Sequence, residues 1–99
     1  MAIVMKIFWQ GLKTADYENN RRLVQWETNV PKGAISHVSW CTSDGINVLD
    51  VWESEGDFNR FTEERLLPVL RGQLKIQSDP KVEFHKVHSY FDPAALGKK

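Results

Sequence analysis

The fold is decided by AISHVSWCTSDGINVLDVWE, which spans residues 34–53. Two runs rich in β-branched and aromatic residues, 34–42 and 46–53, flank Ser43-Asp44-Gly45. An Asp-Gly dipeptide between two such runs is a strong local signal for a β-hairpin. We therefore predict two antiparallel strands joined by a two-residue turn at Asp44-Gly45.

The hairpin side chains divide between two faces, because successive residues of a strand point in opposite directions. A turn at Asp44-Gly45 sets Cys41 opposite Val48, Ser39 opposite Asp50, and His37 opposite Trp52. One face then carries His37, Ser39, Cys41, Ile46, Val48, Asp50 and Trp52, and the other carries Val38, Trp40, Leu49 and Val51. The second set is more continuously apolar, so we expect it, Trp40 included, to pack against helices. The first set is then expected on the uncovered face of the sheet, called the open face below.

The flanking sequence supplies the remaining elements. Patterns of apolar and turn residues predict a strand over 2–10, a helix from Thr14 or Asp16 to about Glu27, a second helix capped by Ser54, and a last strand over 82–91. Pro68 is expected to kink or interrupt the second helix, since proline lacks the amide donor.

The resulting order βαββαβ is the ferredoxin-like split βαβ arrangement. It predicts an α+β fold in which a four-stranded antiparallel sheet carries two helices on one face. We expect a single domain over residues 1–92 and a C-terminal tail over 93–99.

The composition narrows the class of function. Thirteen Lys+Arg balance thirteen Asp+Glu, so the net charge of zero argues against nucleic acid or an anionic membrane as a partner. One cysteine, Cys41, excludes an internal disulfide, and no run approaches the roughly 20 apolar residues of a membrane span. The apolar start lacks a basic n-region and a small-residue cleavage site. We expect a cytoplasmic protein.

The last strand also has two faces. Phe84, Lys86, His88 and Tyr90 alternate with Glu83, His85, Val87, Ser89 and Phe91. We favour the side of His88 and Tyr90 as part of the open face. The reverse choice would bring His85 to that face instead.

The run VLDVWESEGDF at residues 48–58, followed by Phe61 and by Arg65-Leu66-Leu67-Pro68, resembles the small dimeric α/β-barrel proteins. These are relatives of the antibiotic-biosynthesis-monooxygenase and stress-responsive barrel families. Val87-His88 and the chain length agree with this resemblance. It implies a homodimer in which two sheets pack face to face and enclose a lumen pocket. The haem-degrading branch uses a histidine from the second helix, and residues 55–71 contain none, so we expect no cofactor.

The polar residues of the expected open face define the candidate site. His37, Asp50 and His88 could form an acid/base set, with Asp50 orienting a histidine near neutral pH. Ser39, Trp52 and Tyr90 are candidate ligand-binding residues beside them. The alternatives are that these groups only hydrogen-bond across a dimer interface, that Ser39 acts as a nucleophile, or that the histidines and Asp50 bind a metal. We expect no metal, because no helical His spacing motif is present.

Two functions compete on this basis. The first is an enzyme that acts on a small hydrophobic or aromatic molecule, and the resemblance to the barrel families implies a cofactor-free oxygenase, cyclase or isomerase. The second is a non-catalytic dimeric module that binds a ligand or regulator in the same pocket. RNA recognition, which shares the order βαββαβ, is disfavoured because residues 45–52 lack a basic, aromatic-rich stacking motif.

Overall fold

The computed structural model describes residues 2–93 and has the predicted order of elements. The elements are β1 (Ile3–Gln10), α1 (Thr14–Val24), β2 (Ala34–Thr42), β3 (Gly45–Trp52), α2 (Glu55–Phe61) and β4 (Lys81–Lys86), with two π-helical segments, Thr62–Leu66 and Pro68–Gln73, between α2 and β4. The four strands form one sheet in the order β2-β3-β1-β4, and each neighbouring pair is antiparallel. This topology confirms the ferredoxin-like α+β fold.

The predicted helix boundaries are largely confirmed. The second helix begins after Ser54, whose hydroxyl accepts the backbone N–H of Asp57 at 3.1 Å. In the first turn of α1, the Asp16 carboxylate accepts the backbone N–H of Lys13 at 2.9 Å. Helix α1 ends at Val24, earlier than predicted, because Gln25 adopts the left-handed conformation with φ 61°.

The expected interruption at Pro68 takes the form of a change in helix type. The backbone passes from α to π geometry after Phe61, and Pro68 is the first residue of the second π segment. Pro68 has no amide to donate to the preceding turn, and the irregular, π-type geometry surrounds this position. Helical backbone therefore extends to Gln73, and its residues Leu66, Val69 and Leu70 pack on the sheet.

The hairpin turn lies one residue earlier than predicted. Thr42 pairs with Gly45, so the loop is Ser43-Asp44 and Gly45 belongs to β3. A Cβ at Gly45 would lie 2.2 Å from the Trp9 carbonyl oxygen, which explains why this position in the strand requires glycine. The register consequently differs by two residues from the prediction, and His37 faces Asp50 instead of Trp52.

A two-residue difference preserves side-chain parity, so the predicted grouping of residues by face is correct. The predicted orientation of those faces is wrong. Asp50 is 3% exposed and Trp52 fully buried against the helices, whereas Val38 is 51% and Trp40 44% exposed on the open face. His37 and Ser39 share the covered face with Asp50 and Trp52, and they do not lie on the open face.

The reason for the reversal lies outside the hairpin. Strand β1 adds Met5, Ile7 and Trp9 to the covered face, and α2 adds Phe58 and Phe61, so that face gains the larger apolar surface. The hydrophobic effect follows this total area, and comparison of the two hairpin sets alone could not measure it.

Strand β4 ends at Lys86, before the predicted Phe91. Phe84 pairs with Met5 and contacts Phe58 at a ring-centroid distance of 5.7 Å, so its side of the strand also faces the helices. His88 and Tyr90 lie beyond the strand and are exposed. Residues 94–99, most of the predicted tail, lie outside the described residues. No helix within residues 2–93 is long and apolar enough to cross a membrane.

Candidate functional site

A cavity of about 100 Å³ lies between the covered face of the sheet and the helices. Its walls are mostly apolar, and polar side chains are concentrated at the end near α1 and β2. The apolar lining comes from Met5, Ile7, Trp9, Leu12, Val24, Trp26, Ile46, Val48, Phe58, Phe61, Leu66 and Leu70, and the polar lining from Asp16, Tyr17, Asn20, Arg21, Glu27, His37 and Asp50. A few convergent polar groups in an apolar cavity are the usual composition of a small-molecule site.

Three of these side chains form a continuous hydrogen-bonded chain with one residue behind the cavity wall, Trp52. The Asp50 carboxylate lies 2.6 Å from His37 Nδ1 and accepts the indole N–H of Trp52 at 3.1 Å. His37 Nε2 lies 2.7 Å from the hydroxyl of Tyr17. This chain of Tyr17, His37, Asp50 and Trp52, called the relay below, runs from the cavity wall into the core.

The chemistry of each group sets the direction of the relay. An ionised carboxylate only accepts hydrogen bonds, so His37 donates its Nδ1–H to Asp50. A neutral imidazole then presents Nε2 as an acceptor, and the Tyr17 hydroxyl donates to it. Asp50 thereby orients the histidine and selects its tautomer.

Aromatic rings hold His37 in position. The Trp26 ring lies 4.8 Å from the imidazole, centroid to centroid, and the Tyr17 ring stacks almost parallel to it at 6.2 Å with an interplanar angle of 8°. Trp26 in turn contacts Trp52 and Phe61 edge to face, each at 5.5 Å. These ring contacts, together with hydrogen bonds at both ring nitrogens, restrict rotation of the imidazole away from Asp50.

The protonation of Tyr17 is affected by its surroundings. Burial raises the pKa of its hydroxyl above the ordinary value of 10.0, and the neighbouring Ser39 side chain opposes that rise. Desolvation disfavours the phenolate, so the hydroxyl keeps its proton at neutral pH.

An ion pair flanks the cavity on the α1 side. The Arg21 guanidinium donates to both carboxylate oxygens of Glu27, with a distance of 2.7 Å from Nη2 to Oε2. This pairing lowers the pKa of the Glu27 carboxyl. The pair joins α1 to the segment that follows it.

The structure brings together some of the predicted site residues. His37 and Asp50 share one hydrogen bond and line the cavity. Trp52 is fully buried and holds Asp50 through its indole N–H. Ser39 adjoins Tyr17, whereas His88 and Tyr90 lie on the exposed segment after β4 and do not line this cavity.

Tyr17 and Asn20 line the cavity but were not among the predicted site residues. The signal was present in the helical spacing: positions 17, 20, 21 and 24 lie on one face of an α-helix. Polar residues on a stripe that otherwise packs on the sheet mark a wall of a cavity.

No group of three or more His, Cys, Asp or Glu side chains within residues 2–93 is arranged to hold a metal ion. The relay contains two such residues, His37 and Asp50. Besides the bond between them, His37 Nε2 is hydrogen-bonded to the Tyr17 hydroxyl, and Asp50 accepts the indole N–H of Trp52.

Solved structures of similar fold were found over nearly the whole chain. A monooxygenase from Streptomyces coelicolor, solved with the ligand nanaomycin D, is 19% identical with a TM-score of 0.58, and the match covers 93% of this chain and 91% of that one. SnoaB, a cofactor-independent oxygenase from Streptomyces nogalater, is 14% identical with a TM-score of 0.62, and the match covers 90% and 94%. A protein of unknown function from Nitrosomonas europaea is 12% identical with a TM-score of 0.68, and the match covers 93% and 94%.

No protein-family model matches the sequence, and the comparison with curated proteins gave no match. The structural matches confirm the fold that the resemblance of residues 48–68 implies. This chain shares that fold with SnoaB and with the Streptomyces coelicolor monooxygenase.

Proposed function

We propose, from this fold and from the relay, that the chain is a cofactor-independent enzyme that moves a proton to or from a small, mainly apolar molecule held in the cavity. The substrate is an aromatic or polyketide-like compound with an acidic hydroxyl or an enolisable carbonyl. The single observation that carries the proposal is the relay from Tyr17 through His37 to the buried Asp50, because one end of it lines an apolar cavity.

The relay provides a route for the proton. A substrate proton passes to the Tyr17 oxygen as the Tyr17 proton moves to His37 Nε2, and the imidazolium is stabilised by Asp50. General acid–base transfer by positioned side chains contributes typically 10²–10⁴-fold in rate. Asp50 keeps its two acceptor bonds throughout, so its role is to orient and stabilise His37.

The apolar walls support the same function. Water is poorly accommodated by side chains such as Met5, Phe58 and Leu70, so the charge formed on the substrate interacts strongly with the relay. An apolar cavity of about 150 Å³ accepts benzene. The cavity here is smaller, at about 100 Å³, so the proposal requires its walls to move apart around a bound ring.

Oxygenation is the favoured outcome among the reactions considered. An electron-rich enolate or phenolate is the species that reacts with O₂ without a metal or flavin, and the relay is suited to produce it. SnoaB, which shares the fold, is a cofactor-independent oxygenase. Cyclisation and isomerisation begin from the same deprotonated species and are tested by the same experiment.

The proposal includes a homodimer built on the open face. That face exposes large apolar side chains, with Val38 at 51%, Trp40 at 44% and Leu49 at 37%. Contiguous apolar surface of this kind on a small domain marks an interaction site. A second copy covers it when the two sheets pack face to face. We further propose a cytoplasmic location, which suits the single exposed cysteine, Cys41.

The experiment separates proton transfer from oxygenation. β-Diketone compounds, which carry an acidic C–H, are incubated with the protein in D₂O without O₂, and exchange of that C–H is followed by NMR. O₂ uptake is then measured separately. We expect His37→Gln and Tyr17→Phe to reduce exchange by about 10²-fold or more, and Asp50→Asn by a similar factor.

Two further histidine variants show whether a loss of exchange is specific to His37. His85→Ala alters an exposed residue on β4 and serves as the matched control, so its exchange rate should equal that of the wild type. His88→Ala tests the catalytic role predicted for His88. Equal exchange in wild type and His37→Gln would contradict the proposal, and ligand binding without any exchange would instead favour the non-catalytic binding module.

A further inference from the structure

Asn20 has a buried polar atom that the fold leaves without a partner. It lies in the middle of α1 and lines the cavity together with Tyr17 and Val24. Its side-chain oxygen, Oδ1, is buried and accepts no hydrogen bond from any residue within 2–93. No other side-chain nitrogen or oxygen of the described residues is in this state.

An unpartnered buried carbonyl opposes folding, because the group gives up hydrogen bonds to water and receives none in return. Asparagine is also a weak helix former in a helix interior. Neither packing nor helix propensity therefore explains Asn20. The adjacent Asn19 is exposed, so its amide remains hydrated and raises no such question.

We propose that Asn20 determines the specificity of the cavity, and that Oδ1 accepts a hydrogen bond from a hydroxyl or N–H group of the bound molecule. This inference rests on the proposed function only in placing the ligand in the same cavity. Asn20 discriminates between ligands that carry a donor and ligands of equal shape that lack one.

The geometry also restricts the chemical class of the ligand. Most of the cavity wall is apolar, and Tyr17 and Asn20 are three residues apart on the same face of α1. The ligand therefore has an apolar ring directed at the sheet and a donor group directed at α1. Phenols, enols and indoles have this arrangement, whereas simple hydrocarbons and ethers do not.

The experiment compares phenol with toluene, because the two differ by a hydroxyl in place of a methyl group. Dissociation constants for both are measured by calorimetry or by the change in tryptophan fluorescence. We expect the ratio of the toluene constant to the phenol constant to fall about ten-fold in Asn20→Leu relative to wild type. Asn19→Leu is the matched control and should leave the ratio unchanged.

The Tyr17→Phe variant distinguishes a hydrogen bond to Asn20 from one to Tyr17. If the phenol hydroxyl donates to Asn20, Tyr17→Phe should retain most of the wild-type ratio of the toluene constant to the phenol constant. A ratio that is lost in Tyr17→Phe and kept in Asn20→Leu would overturn the inference, as would a wild-type protein that does not bind phenol. Binding with this pattern but without proton exchange would remove the proposed enzymatic function and leave the role of Asn20 standing.

A second measurement does not depend on the stability of a variant. In wild-type protein labelled with ¹⁵N, phenol should shift the side-chain amide resonances of Asn20, and toluene should leave them nearly unchanged. Resonances of Asn20 that respond equally to both compounds would overturn the inference even if Asn20→Leu fails to fold.

Discussion

The two faces of the β2–β3 hairpin differ in solvent exposure, and the difference is the opposite of what the polarity of their residues predicts. The covered face holds the polar pair His37 and Asp50, yet Asp50 is 3% exposed. The open face is the more continuously apolar one, yet Trp40 is 44% exposed. Both faces come from the same alternating strands, so the difference arises from what packs on them.

The comparison shows how a small domain can place polar groups in its interior. On the covered face, the Asp50 carboxylate receives hydrogen bonds from His37 and Trp52, so the buried charge is satisfied. On the open face, apolar side chains have no cover within the described part of the chain. The first face is complete in one copy, and we propose that the second is completed by another copy.

The largest expected effect comes from removing the aromatic centre of the covered face. Trp52→Ala deletes a fully buried indole that contacts Trp26, Phe58 and Phe61, and it leaves Asp50 without one donor. The free energy of unfolding should fall by about 3–5 kcal/mol, as for other large-to-small core substitutions. Urea unfolding at a concentration where the chain is monomeric measures this.

Trp40→Ala is the matched control on the open face. Under the same monomeric conditions it should cost about 1 kcal/mol or less, because the ring is already half exposed. Equal losses in the two variants would remove the distinction between the faces.

A charge on the open face tests the proposed dimer. Val38→Glu would place a carboxylate in the contact between two sheets, where it is desolvated without a partner. Self-association should weaken by about 100-fold or more, measured by analytical ultracentrifugation over a concentration series.

Val30→Glu is the control for this charge. Val30 is also an exposed valine, at 60%, but it lies in the loop between α1 and β2. Its variant should associate like the wild type. A wild-type chain that is monomeric at every concentration would contradict the dimer.

A smaller effect is expected from the relay itself. Asp50→Asn retains the volume of the side chain but replaces one acceptor oxygen with an NH₂ group, which meets the N–H of either His37 or Trp52. The free energy of unfolding should fall by about 2 kcal/mol, since one buried donor loses its acceptor. Asp44→Asn, in the exposed hairpin turn, is the control and should stay within about 0.5 kcal/mol of wild type. An unchanged stability in Asp50→Asn would mean that the carboxylate is not the acceptor of both bonds.

The same contrast explains what the sequence could and could not predict. Side-chain parity survived an error in the turn because parity repeats every two residues, so His37 and Asp50 were correctly placed together. The register depended on Gly45, whose requirement comes from close approach to Trp9 on a different strand. The orientation of the faces depended on Met5 and Phe58, which belong to other elements.

Site residues on other elements were harder to predict. Tyr17 hydrogen-bonds to His37 across twenty residues, from a helix to a strand, so the contact depends on how α1 packs on the sheet. The positions of His88 and Tyr90 depended on the length of β4, whose ladder with β1 ends at Lys86 opposite Ile3, before the predicted end at Phe91. Local patterns therefore predicted the elements, and tertiary packing decided which polar groups meet.

The smallest expected effect concerns stability at high pH and again contrasts a covered with an exposed side chain. Burial raises the pKa of the Tyr17 hydroxyl above 10.0, so the folded chain keeps this proton after the unfolded chain has lost it. The contribution to stability is therefore fully present below pH 10 and is lost as the pH rises through the pKa of the folded state.

Wild-type protein should lose stability more steeply above pH 10 than Tyr17→Phe, as measured by urea unfolding across this range. Tyr90→Phe, which alters a tyrosine that is 48% exposed, should keep the steep wild-type decline. Parallel curves for wild type and Tyr17→Phe would show that the Tyr17 hydroxyl is not desolvated. This result would contradict the proposal that the relay transfers a proton in a part of the cavity from which water is excluded.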